Sequence, residues 1–85
     1  MKANDIKTLK DLIEYGVEPE ACEKQDCIYL WASDPDRSFY DPSMYKYDRV
    51  KKTLEFISSA SLVAAETKGA RPIKVSSEYL KQFIR

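Results

Sequence analysis

No histidine occurs among the 85 residues, glycine and cysteine appear twice each, and 14 cationic side chains balance 14 acidic ones. Without imidazole there is no ready general base near neutral pH, and no Ser–His or Cys–His pair can form. The isolated Gly16 and Gly69 cannot build a glycine-rich loop around a phosphate. Two cysteines, Cys22 and Cys27, are too few for a stapled secreted mini-domain, and a four-ligand zinc site would need carboxylates at both remaining positions. As a nucleophile, Cys22 sits between Glu20 and Glu23, which oppose a thiolate. The expectation is a non-enzymatic protein without cofactor or metal, its thiols reduced, with a local disulfide as the alternative.

Long apolar runs are missing as well. The longest stretch without a charge, residues 56–65, is about half of a membrane span. Residues 1–10 lack the apolar core of a secretory signal. A cytoplasmic protein with no membrane partner is expected.

What the chain does have is a core's worth of apolar side chains, 44% of the total, with 12% aromatic. At this length that supports one domain over residues 1–85, and a core supplying no more than about 3–5 kcal/mol. The zero net charge hides a division. Residues 1–41 carry five basic and ten acidic side chains, residues 42–85 nine and four. Such asymmetry suits either a charged partner surface or two halves that face each other.

Hydrophobic periodicity predicts a mainly α fold, a small bundle of three to four helices. Asn4 or Asp5 can cap a first helix near residues 5–15, with Ile6, Leu9, Leu12 and Ile13 on one face and Gly16 at its end. Pro19 can open a second. The run Cys27-Ile28-Tyr29-Leu30-Trp31-Ala32 is apolar on every side and reads as the end of that buried helix, or as a strand. Asp34-Pro35 and Asp41-Pro42 mark a connector, and the second of these launches the main helix. Its stripe is Tyr47, Val50, Leu54, Ile57, Ser61 and Ala64, ending at Lys68-Gly69. Residues 71–75 read as extended, and Ser76 or Ser77 caps a last helix bearing Tyr79, Leu80, Phe83 and Ile84. A short β-hairpin at residues 27–40, with 37–40 as the return strand, or at 61–76 is the alternative at each place.

Two binding surfaces follow from this wheel. Phe56 and Val63 lie off the main stripe, and with Trp31 they form an apolar patch; Asp34, Asp36 and Asp41 add an acidic rim. These six residues are the expected contact with a larger protein partner, in a small inhibitor or regulator of the kind found among phage and plasmid accessory proteins. The second surface interleaves aromatics with cations: Tyr45, Lys46, Arg49, Lys51 and Lys52, joined by Arg71 and Lys74. That mixture suits stacking on bases and contact with phosphates, so a nucleic-acid-binding regulator is the alternative. The isoelectric point near 6.2 speaks against it. A homodimer packing its main helices together is a third reading.

Overall fold

The computed structural model describes residues 6–33, 44–57 and 59–84. Its architecture is a five-stranded antiparallel sheet with three short helices, not a helical bundle. The elements run α1 (Leu9–Tyr15), β1 (Val17–Lys24), β2 (Cys27–Ala32), β3 (Met44–Asp48), β4 (Thr53–Ile57), α2 (Ala60–Thr67), β5 (Arg71–Lys74) and α3 (Ser77–Lys81), followed by a 3₁₀ turn, Gln82–Ile84. The spatial order is β4-β3-β2-β1-β5.

β2 is the middle strand, and its composition explains the error in the helical reading. A run that is apolar on every side is what a strand covered on both faces requires. Ile28, Leu30 and Ala32 are fully buried on one face, and Tyr29 is buried on the other. The return strand is Met44–Asp48, paired Tyr29↔Lys46 and Leu30↔Tyr45; residues 37–40 lie outside the described residues.

The expected main helix is instead β3, a four-residue turn, β4 and α2. Met44-Tyr45-Lys46-Tyr47-Asp48 alternates with period two, and Tyr45 and Tyr47 are buried while Lys46 and Asp48 are only partly covered. Aromatic and β-branched residues at Tyr45, Tyr47, Thr53, Phe56 and Ile57 favour a pleated surface over a helix. Val50, a member of the predicted stripe, stands in the turn 70% exposed. Residues 60–67 are helical, so the alternative hairpin over 61–76 is absent too.

The turn is built by Asp48. Its carboxylate accepts from the amides of Val50 (2.9 Å) and Lys51 (3.0 Å), and its carbonyl accepts from Lys52 N (2.7 Å). Lys52 takes the left-handed φ of +59° that closes the loop. The amide of Lys51, aided by that of Val50, holds the Asp48 carboxyl below its usual value. A depressed folded value means stability that is present above about pH 4 and is lost as pH falls through the folded value. Asp48→Asn should therefore lower stability at neutral pH and flatten the acid limb of the pH-stability curve, so that parent and variant converge as pH falls below about 4. An acid limb as steep as the parent's would remove this role from Asp48.

β1 replaces the predicted second helix. Apart from Val17 it has little strand propensity, and its conformation is imposed by pairing on both sides, with β2 and with β5. Pro19 is tolerated because the β1–β2 register shifts between Val17 and Ala21. The Pro19 carbonyl still accepts from Val75 N (2.9 Å).

The helices divide the sheet into unequal faces. On the first face α1 and α3 bury Leu9, Leu12 and Leu80 against Ala21, Ile28, Leu30, Ala32, Tyr45 and Tyr47. α1 begins later than expected, at an N-cap Thr8 whose capping box with Asp11 satisfies amides at both residues. α3 is capped by Ser76. The second face carries a smaller cluster of Tyr29, Met44 and Ile57, with Cys22, Cys27, Trp31 and Val63 around it. Among the described residues only α2 crosses this face, on the way from one sheet edge to the other, and none of its residues is fully buried. No helix among the described residues is long and apolar enough to cross a membrane.

Candidate interaction surface

Part of the charge division is spent inside the molecule, by Glu20 and Glu23 of the first half. Glu23, on β1, meets Arg71 on the neighbouring strand β5 and lies 3.4 Å from Arg49 of the β3–β4 turn. Glu20 pairs with Lys74. All three bridges join the acidic first half to the basic second half, the internal arrangement that the sequence left open. Arg49 does more than pair. Its guanidinium donates to the carbonyls of Gln25 (2.6 Å) and Asp26 (3.2 Å), and its amide donates to Asp26 O (2.9 Å). One side chain thus clasps the β1–β2 turn to the β3–β4 turn. The clasp holds a turn that needs it, because Gln25 sits at φ +57°, a conformation that favours glycine. Arg49→Ala should lower the urea midpoint by the equivalent of about 1–2 kcal/mol, since several charge-assisted bonds go at a partly exposed site. A shift within error would make the clasp ornamental.

The other five candidate nucleic-acid residues are dispersed. Tyr45 is buried and stacks at 5.2 Å against Phe56. Lys46 points to the second face, where Glu66 of α2 accepts from its ammonium (3.3 Å) and from the Tyr29 hydroxyl (3.2 Å). Burial alone would lower Lys46, but Glu66 carries it above its usual value. Lys74 lies on β5, at the sheet edge opposite β4. Only Lys51 and Lys52 stand exposed and together, in the turn. The structure does not bring the seven into one stripe.

The expected protein-binding patch is divided as well. Trp31 and Val63 pack into the second-face cluster, whereas Phe56 shares the first face with Tyr45. Asp34, Asp36 and Asp41 lie outside the described residues. Cys22 and Cys27 are both on the second face as free thiols, and burial raises the pKa of each.

What sequence reasoning missed is the edge. β4 pairs with β3 on one side and with no described strand on the other. Its residues Thr53-Leu54-Glu55-Phe56-Ile57 contain no proline, no lysine and no bulge, and Glu55 is the strand's one charge against edge pairing. The opposite edge, β5, has three of its four residues as Arg71, Pro72 and Lys74. Phe56 is 49% exposed, and its ring packs against that of the buried Tyr45. The signal was present as Thr53 to Ile57 alternation, but it was masked by a competing helical stripe.

A shallow groove of about 380 Å³ lies elsewhere, between α1, β3 and the C-terminal turn. Leu9, Tyr47, Phe83 and Ile84 form its apolar lining, with Lys10 and Lys52 beside them. The Tyr47 hydroxyl is already directed at the Phe83 carbonyl (3.5 Å).

No protein-family model, no curated protein and no solved structure matches this chain.

Proposed function

We propose that this chain is a non-enzymatic protein–protein interaction module, a small regulator or inhibitor that docks on a larger protein by pairing its β4 edge with an extended segment of that partner. The observation that carries this reading is the edge Thr53–Ile57, unpaired on its outer side among the described residues, with Phe56 half exposed beside it. Outward main-chain groups of an edge strand supply affinity, and a protruding aromatic supplies an anchor. Docking there leaves the folded core untouched, because Phe56 stands outside the buried clusters.

The test is capture from the native host with tagged protein, followed by mass spectrometry. Wild type should recover one partner in near-stoichiometric amount, and Phe56→Ser should reduce that recovery about tenfold. Ile84→Ser, which removes an exposed apolar side chain from the C-terminal turn, should leave recovery unchanged. Equal recovery by wild type and a folded Phe56→Ser would exclude the edge as the docking site.

A further inference from the structure

We infer that the partner segment docking on β4 is a strand with the pattern apolar–basic–apolar, its cation facing Glu55; this rests on the edge-docking reading above. Glu55 is exposed in the middle of β4, and its cross-strand neighbour is Lys46. The Lys46 ammonium is held by Glu66 on the other side. Among the described residues, no cation pairs with Glu55. By register, Thr53, Glu55 and Ile57 share the second face, while Leu54 and Phe56 share the first. An added antiparallel strand must therefore present one side chain to Glu55 and, on the opposite face, two to Leu54 and Phe56.

A second copy of this chain does not meet that demand. A two-fold axis through Glu55 sets the two carboxylates directly opposite each other, which is unfavourable. An axis through Phe56 sets Glu55 against Ile57 of the copy. An axis through Leu54 restricts pairing to three residues, because Lys52 has already left the strand with a positive φ. Head-to-tail pairing with β5 of a copy meets Pro72, and the β5 cations there are committed to Glu20 and Glu23. The occupant that fits is a heterologous strand bringing its own lysine or arginine.

Two cyclised β-hairpin peptides make the probe, with outer strands centred on Val-Lys-Val and Val-Glu-Val. Each is titrated into the isotope-labelled protein and followed by amide NMR shifts at low salt. The lysine peptide should shift the Thr53–Ile57 amides, slow their exchange and bind about three- to tenfold more tightly than the glutamate peptide. Glu55→Lys should invert the preference. Equal affinity of the two peptides at β4 would overturn the cation requirement and leave edge docking standing. Absence of any β4 perturbation with either peptide would overturn both.

Discussion

Leu30→Ala is expected to cost about 2–5 kcal/mol, which is most of the net stability available to a domain of this size. Leu30 is fully buried in the central strand, between Ala21 of β1 and Tyr45 of β3, under the helical layer of α1 and α3. No surface loop can relax into the space it leaves, because the cavity would be walled by two hydrogen-bonded strands. In a thermal melt the loss should appear as a fall of roughly 10 °C or more in Tm. The control is Leu62→Ala on α2, also a leucine but 50% exposed, which should change stability by no more than about 0.5 kcal/mol. Comparable losses at the two positions would contradict the unequal weight assigned to the two faces.

Tyr45→Ala carries the second large effect, about 3–5 kcal/mol, by the same truncation argument applied to an aromatic ring. Tyr45 is only 2% exposed, opposite Leu30 and Phe56 on neighbouring strands. A residue that stacked on nucleic-acid bases would stand in solvent, and its removal would leave the urea midpoint nearly unchanged while weakening a gel shift. A steep loss of stability assigns the ring to the core. A preserved midpoint would return Tyr45 to the nucleic-acid reading and undermine the first-face core described above.

How much of this was legible in the sequence varies with the range of the interactions involved. α1 and α3 were visible because their determinants are local: apolar residues three and four apart in both, a stop at Gly16 for the first and the cap Ser76 for the last, although α1 is capped by Thr8 and not by Asn4 or Asp5. The strands were not, and each for its own reason. β1 has poor intrinsic propensity, and although its β2 partners lie 3 to 15 positions away, its β5 partners lie 48 to 54 positions away, which no window contains. β2 is buried on both faces, so it has no periodicity to read. In β3 and β4 the true alternation, from Tyr45 to Asp48 and from Thr53 to Ile57, happened to overlay a stripe spaced for a helix. The candidate patch then failed with the helix that defined it, since Phe56 and Val63 belong to opposite faces. The acid–base complementarity of the two halves survived, because counting charges needs no geometry. Part of it is met within the chain, where Glu20 and Glu23 pair with Arg49, Arg71 and Lys74.

The pairing of β5 with β1 also governs the order of assembly. The bridge from Lys74 to Glu20 spans 54 positions, whereas β1–β2 and β3–β4 close through short turns and can form early. Bringing a four-residue strand back across that distance has the largest loop-closure entropy of any strand pairing in the sheet, and it yields few ladder bonds in return. By loop-closure entropy alone this pairing is expected to form last, which would leave the β1 edge, with Pro19 and the carboxylates of Glu18, Glu20 and Glu23, uncovered until then. Such a row of carboxylates would then act in kinetics as well as in structure: until Glu20 and Glu23 meet Lys74 and Arg71, like-charge repulsion opposes pairing of two chains through the same edge.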